Sequence, residues 1–466
     1  MADEHEGVIL NRWSVHPFFF INGESLDFRV VRALDREMSF FCKDAQRTNA
    51  FKSGKWDGKE KLLFKSKKGI YFFPAGLINV AKRVFKDFGV SYSVQNITID
   101  NVRKNYAPLN LKWNGLPLRN YQLDAVTAIM NNEGGIICCP TGSGKTLVML
   151  KLAHELNLPF IVIVHTKELL IQWEKTVKEY FNYVPGLVGD GNKHFDNKIT
   201  IAMLQTVHSM IAKGDTDNLN YPVLFVDECH RIPATTAYAV SMAINAPFRC
   251  GASATPYRID GADKKIYAAV GEIEIKITAT ELIERGILAR PKFVFLSPPE
   301  IHISRGTRWH DAYLQGIVLN EGRNNLIINA AKKLSAEGLT TYTHVERIDH
   351  GQMLQGRLPG SVFLSGTDNS TRRQLVLKEF EEGKIKILVS TLLREGVNIQ
   401  SMNAFIAAGG MKSPIGVIQR IGRALRIAPG KTEAIIVDFR DSGRFLRDHW
   451  AERYNTYKET FGEFCP

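Results

Sequence analysis

GGIICCPTGSGKT, residues 134 to 146, decides how this chain is read. Its first six residues are an unbroken run of small and apolar side chains, as in a strand buried on both faces, and TLVMLKLAHEL behind it has helical spacing. Glycine between a strand and a helix N-terminus lets backbone amides close around an anion, so Pro140, Thr141, Gly142, Ser143, Gly144, Lys145 and Thr146 are expected to cradle the phosphates of ATP. Lys145 would meet the β and γ phosphates, and the Thr146 hydroxyl would help hold Mg²⁺. The general pattern starts with glycine where this chain has Cys139.

A phosphate loop of this kind needs an acid at the end of a later strand, and VLFVDECH supplies two. Asp227 can reach Mg²⁺ through water, and Glu228 can orient or deprotonate the attacking water. Paired acids at a strand end are, seen alone, as readily a solvated turn. The loop upstream is what favours chemistry.

Outward from this point the pattern repeats. FIVIV (160 to 164), ITIAML (199 to 204) and VLFV (223 to 226) alternate with amphipathic stretches such as KELLIQWEKTVKEYF, predicting a βαβ succession with a parallel sheet. A second series follows ERGILARPK (284 to 292), with strands expected near TYTHV, SVFLSG, IKILVST, AFIAAGG and EAIIVDF. The fold class is therefore α/β, with two tandem P-loop-type domains at 105 to 295 and 296 to 450 behind a small amino-terminal α+β domain at 1 to 104. A helical tail is expected at 451 to 466, its aromatic residues packing on the second domain.

Composition narrows the partners. The 466 residues carry a formal net charge of +12, with 44% hydrophobic and 23% charged residues, which suits a folded chain with a polyanionic partner. No apolar run is long enough to span a bilayer and the acidic start lacks a basic leader, so a cytoplasmic protein with no membrane partner is expected. Six scattered cysteines without a CxxC pair suggest neither a zinc site nor a disulfide framework. Residues 1 to 104 hold eighteen Lys and Arg against twelve Asp and Glu, half of the net charge in under a quarter of the length. Between Arg47 and Lys68 eight basic residues, Lys52, Lys55 and Lys59 among them, are interleaved with Phe51, Trp56 and Phe64. Phosphate contacts beside aromatic faces are a way to grip DNA, although a charged hairpin with buried aromatics reads the same way.

LRNYQLDAV, GSGKT, HTKELLIQW, LQTVHSM, DECH, SATP and QRIGRALR occur in the order found in superfamily 2 helicases, which the chain resembles from residue 118 to 426. The resemblance implies that Arg119 and Gln122 recognise adenine, and that Ser253 and Thr255 link hydrolysis to strand movement. It also implies that Gln419, Arg423 and Arg426 lie on one helix, whose guanidinium groups bring positive charge to the phosphates from the second domain. Thr206, Ser253, Thr255, Ser390 and Thr391 are the implied contacts to the tracked strand. ILVSTLLREGVNI carries Asn398 where the usual residue is an acid, with Gly396 at its turn, and His165 stands where many members have proline. FKSGKWDGKEKLLF followed by FPAGLI is similar to the small amino-terminal domain of phage UvsW-type helicases, relatives of XPB-like enzymes. That likeness implies a DNA helicase acting on branched or double-stranded DNA and RNA–DNA hybrids in recombination, repair and replication, with branch migration as its hallmark; a monomer is expected. Another superfamily 2 motor, such as an RNA helicase or a non-unwinding translocase, and a non-catalytic clamp stay open at this point.

Overall fold

The computed structural model describes residues 8–12, 17–21, 26–95, 98–255, 261–392, 401–410 and 413–466. Gly134–Cys138, the strand ahead of the phosphate loop, lies between Phe248–Ser253 and Ile273–Lys276 and is parallel to both. Beyond Phe248–Ser253 the sheet continues through Val223–Asp227, Phe160–Val164, Ile199–Met203 and Gly186–Gly189 to a short antiparallel edge strand, Asn192–Lys193. Every residue of the strands at 134, 160, 223 and 248 is buried, which is why GGIIC, FIVIV and VLFV are continuously apolar instead of alternating; Phe248–Ser253 departs from this with Arg249, whose guanidinium donates to the Ser241, Ile244, Ala246 and Ala269 carbonyls. Because the strands are parallel, their carboxyl ends share one edge, where ligands of open α/β sheets bind.

The second sheet is parallel throughout, in the order Arg290–Leu296, Glu433–Phe439, Ala404–Ile406, Thr341–His344, Ile387–Ser390, Val362–Leu364. Two tandem RecA-like α/β domains are thus present. The chain divides after Lys276, with Ile277–Pro466 in one unit and the preceding residues, apart from Pro140–Ser143, in the other. The expected boundary at 295 is corrected by this division. It falls inside Arg290–Leu296, which pairs along its whole length with Glu433–Phe439. The separate tail from 451 is corrected as well, since one helix runs Leu446–Phe461. Its Tyr457 and Phe461 rings meet Phe293, and Trp450 meets Phe295. Arg453 on the same helix is fully buried and reaches Asp438 at 2.9 Å and Asp441 at 3.5 Å, so the aromatic stretch packs on the second sheet, as its composition suggested.

The amino-terminal domain has a five-stranded sheet, Phe64–Lys65, Tyr71–Pro74, Phe18–Ile21, Val8–Arg12 and Tyr92–Gln95, antiparallel except for the last pair. Helices Phe28–Glu37 and Ile78–Asp87 bury Val30, Leu34, Val84 and Phe85 into its core. That core does not stop at the domain. It takes in Ala268 and Tyr267 of the helix Asp263–Val270, which belongs to the first RecA-like domain. Arg83 forms a two-pronged bridge to Glu272 at 2.6 and 2.9 Å, and Lys264 donates to the carbonyls of Glu37 and Ser39. Gly76 lies so close that a Cβ there would collide with the Tyr267 carbonyl oxygen.

Candidate functional site

The phosphate loop leaves the sheet at Cys139, whose amide donates to the Ser253 carbonyl of the neighbouring strand at 3.1 Å. Gly142 has φ 90° and Gly144 φ 83°, conformations that a side chain resists. Gly144 caps the helix Lys145–Leu156, and a Cβ on it would lie 2.5 Å from Gln122 Nε2. Gln122 is buried, and its Oε1 accepts from the Arg119 amide at 3.0 Å, fixing the entry to the helix Asn120–Asn131; the Arg119 side chain is exposed. The pair expected to read adenine therefore stands beside the loop. Lys145 is buried, with Nζ donating to the Cys139 carbonyl at 3.3 Å, a weak anchor that holds the ammonium over its own loop. Thr146 follows in the first turn, half-buried.

Asp227 ends the strand Val223–Asp227 and is buried. Its Oδ2 accepts from Trp173 Nε1 at 2.9 Å, and its Oδ1 from the Glu228 amide at 3.0 Å. Burial, then the Glu228 charge, pushes its carboxyl up to about 6, opposed by the indole hydrogen bond and the Lys145 charge. Lys145, Asp227 and Glu228 are thus electrostatically one group. A buried carboxylate disfavoured by burial and by a like charge gains most from a divalent cation, so these residues fit Mg²⁺, which commonly takes one or two carboxylates and keeps several waters. Among the described residues no cluster of three or more His, Cys, Asp or Glu side chains forms a dedicated metal cage.

Glu228 has φ 52°, a strained conformation for a non-glycine residue that turns its side chain out of the strand direction. Its Oε2 lies 3.3 Å from His230 Nδ1, and the same His230 nitrogen lies 3.1 Å from Ser253 Oγ. Ser253 also accepts from the Thr255 amide at 3.1 Å. Two functional residues were not singled out by sequence reasoning. Trp173 is a fully buried indole on the apolar face of the helix Lys167–Phe181, where nothing but its polar N–H distinguishes it from core packing. His230 lay inside the quoted DECH, and its link to Ser253 spans 23 residues. His165, buried at the end of Phe160–Val164, is held neutral, its imidazole lowered to about 3 by burial and by the Arg231 and His230 charges.

The strand-contact set is only partly at the surface. Thr206, in the first turn of Leu204–Ala212, and Thr255 are half-buried at the carboxyl edge of the sheet. Ser253 is fully buried and its hydroxyl is engaged by His230, and Ser390 is fully buried with its hydroxyl accepting from the Leu392 amide at 3.0 Å. The expectation that these two serines touch a strand is corrected: enclosed hydroxyls of this kind set the loop that follows them. Thr391 beside Ser390 is half-buried. Gly396 and Asn398 lie outside the described residues.

In the second unit Gln419 and Arg423 lie on Pro414–Ala424, one turn apart, and Arg423 is buried. Arg426 does not share the helix. Leu425 caps it, and Arg426 forms a bridge with Leu288 beyond the cap. A helix written through 426 is corrected for that reason. Burial, then the Arg423 charge, lowers the Arg426 guanidinium to about 10, which marks two arginines sharing a desolvated position.

On the amino-terminal domain Lys52, Lys55 and Lys59 are exposed. The interleaved aromatics are not. Trp56 is half-buried with Nε1 donating to the Lys59 carbonyl at 2.7 Å, Phe51 packs edge-on against Phe41, and Phe64 stacks on Phe72. The rings shape the loop, and the lysines face outward.

Residues 115–258 match the family described as type III restriction enzyme, res subunit, and residues 322–428 match the helicase conserved C-terminal domain. The chain is 25% identical over 440 residues to the ATP-dependent DNA helicase uvsW of Enterobacteria phage T4, covering 87% of this chain and 86% of that one. It is 23% identical over 401 residues to the DNA 3'-5' translocase XPB2 of Sulfurisphaera tokodaii, covering 77% of this chain and 89% of that one. Among solved structures, the ATP-dependent Type ISP restriction-modification enzyme LlaBIII bound to DNA matches with a TM-score of 0.57 at 15% identity, over 75% of this chain and 30% of that one, a likeness of fold.

Proposed function

We propose, from the premise that this chain is an ATP-dependent DNA helicase of superfamily 2, of the UvsW type and related to XPB, that its substrate is branched DNA. It migrates Holliday junctions, regresses forks and unwinds R-loops or D-loops in recombination, repair and replication, acting as a monomer in the cytoplasm. One observation carries the reading: an outward-facing lysine surface sits on a domain whose core continues into the first RecA-like domain. A duplex arm held by those lysines would be carried with the ATPase domain while the motor draws on another arm. At a junction, pairs lost are replaced by pairs gained, so the exchange is nearly isoenergetic and a modest input per step is enough.

In this reading the loop from Pro140 to Thr146 binds the phosphates, Gln122 and Arg119 take adenine, and Thr146 with Asp227 holds Mg²⁺. When bound, the ion would neutralise charge on the phosphates. Glu228 orients and deprotonates water, with His230 holding its carboxylate. Arg423 and Arg426 supply cationic charge during turnover, the kind of electrostatic help that phosphoryl transfer needs, and Gln419, one turn from Arg423, offers a neutral amide beside them. Lys52, Lys55, Trp56, Lys59, Thr206, Thr255 and Thr391 form the DNA track, with Ser253 and Ser390 ordering its loops.

The test is a substrate panel of four-way junction, fork, R-loop and RNA duplex with ATP, comparing the chain with Lys52→Ala/Lys55→Ala/Lys59→Ala and Lys145→Ala variants. Junction and fork should be processed best, the triple variant should lose that preference, and Lys145→Ala should lose turnover. Preference for RNA duplex, with no effect of the triple variant, sinks the branched-DNA reading. The XPB2 relative is named a translocase, so DNA-stimulated ATP hydrolysis without strand separation is the second outcome to score.

A further inference from the structure

A second basic surface lies on the other unit, on residues not assigned above. The segment ahead of the helix Glu321–Ala336 is folded onto the turn that leads into Leu446–Phe461, through a small core of Ile303, Ala312, Tyr313, Ile317 and Leu446. At its rim Trp309 meets Phe445 at 6.0 Å and His449 at 4.5 Å between ring centroids. Phe445 has φ 65°, an uncommon conformation for an aromatic residue, and carries the Arg444 guanidinium over its ring at 4.5 Å. The turn before Trp309 is closed by Ser304 and Thr307, with Arg305 exposed within it and Arg308 exposed just after it. Trp309 remains 37% exposed.

Three exposed arginines flank this indole, Arg305 and Arg308 just ahead of it in the chain and Arg444 over the Phe445 ring that Trp309 meets; Arg440 and Arg447, on either side of Arg444 in sequence, are exposed as well. The exposed acids nearby in sequence are Glu300, Asp311, Asp448 and Glu452, and among the described residues only Asp448 comes near one of these arginines, Arg447, at 3.9 Å. Among the described residues Arg305, Arg308 and Arg444 make no ion pair. A solvated face has no need to strain Phe445 or to hold a tryptophan open. Guanidinium groups spaced around an exposed ring are what a single strand requires, phosphates on the cations and a base on the indole, without sequence readout.

We infer that this surface binds single-stranded DNA, the strand released or displaced when the motor works on a junction. The inference rests on the DNA-helicase reading but uses none of the ATPase residues or amino-terminal lysines. The occupant is a strand and not a duplex, because an indole can stack only on a base out of its pair.

The experiment uses the full chain and a fluorescein-labelled oligodeoxythymidylate of about 20 nucleotides, read by anisotropy across a salt series. For single strands each phosphate contact adds about 0.7 to the slope of log affinity against log salt. Arg305→Ala/Arg308→Ala/Arg444→Ala should therefore flatten the slope by about 2, and Arg308→Gln or Arg444→Gln alone by about 0.7 each. Trp309→Ala should weaken binding by about 5-fold or more with the slope kept, as loss of one stacked base does. Hydrolysis without DNA should stay at the parent rate in the arginine variants. An unchanged slope in the triple variant overturns the inference, and if duplex DNA still stimulates hydrolysis, the helicase reading survives that failure. Absence of any DNA stimulation in the parent chain overturns both. Poly-glutamate competing as well as unlabelled oligodeoxythymidylate would assign the surface to an acidic protein instead.

Discussion

Replacing Trp173 with Phe tests the electrostatics of the ATPase centre without touching a residue that meets nucleotide. The indole N–H donates to Asp227 Oδ2 at 2.9 Å inside the first domain, where the carboxyl already sits at about 6. A hydrogen bond to a buried charged group contributes about 1.5–3 kcal/mol, and one pKa unit is 1.36 kcal/mol, so its loss should raise Asp227 by about 1–2 units. The sign is fixed by the chemistry. Mg²⁺ needs the carboxylate, protons compete with it, and a raised pKa extends that competition toward neutrality. In the parent chain the Mg²⁺ concentration for half-maximal hydrolysis should climb as pH falls below about 6.5. In Trp173→Phe the climb should begin near pH 7.5–8, with a midpoint at pH 7 about 2- to 10-fold above the parent and most of the gap closed by pH 8.5. The assay is DNA-stimulated phosphate release over a grid of Mg²⁺ and pH, with thermal melting to establish that the variant is folded. A folded variant with the parent's midpoint at every pH would refute the assignment of Asp227 to the metal and of Trp173 to its tuning.

Gly144→Ala should lower nucleotide affinity and melting temperature together, because left-handed backbone costs an alanine about 1–2 kcal/mol and the new methyl meets Gln122; fluorescent-nucleotide titration reads the first effect and melting the second. Arg453→Ala would leave Asp438, 2.9 Å away and fully buried, without its cation, a loss of about 3–5 kcal/mol visible in urea unfolding of the second unit. Gly76→Val should detach the amino-terminal domain from the helix Asp263–Val270, giving faster proteolysis between them while hydrolysis without DNA continues. Arg83→Ala should do so more weakly, since its bridge to Glu272 is partly exposed.

Parallel strands were legible because burial on both faces leaves no choice of residue: GGIICC, FIVIV and VLFV needed no tertiary information. The phosphate loop and paired acids were legible because glycine, lysine and carboxylate chemistry is tied to short spacing. What failed was mostly a matter of partners that the local pattern does not reveal. The boundary at 295 cut a strand whose only evidence of membership is its pairing with Glu433–Phe439. Ser253 and Ser390 were expected at the tracked strand from the resemblance of their motifs and from their hydroxyls, and both are sealed by neighbours. Arg426 was written into a helix by periodicity, although the chain turns at Leu425 to meet Leu288. Trp173 hid in an apolar pattern, because sequence cannot separate an indole that fills space from one that also donates to a carboxylate 54 residues away.

The amino-terminal domain changes what kind of motor this is. A linker-tethered basic module would raise local DNA concentration and do little else, since each arm could wander independently of the other. Here the module has no such freedom. Its core includes Ala268, Gly76 admits no side chain against Tyr267, and Arg83 and Lys264 tie both ends of the contact. Any displacement of the first RecA-like domain during hydrolysis is therefore a displacement of the lysine surface by the same amount. On the branched-DNA reading proposed above, a duplex arm held there would be pulled, and a motor that pulls one arm while stepping along another would move the branch point by geometry, with no need to melt the whole duplex.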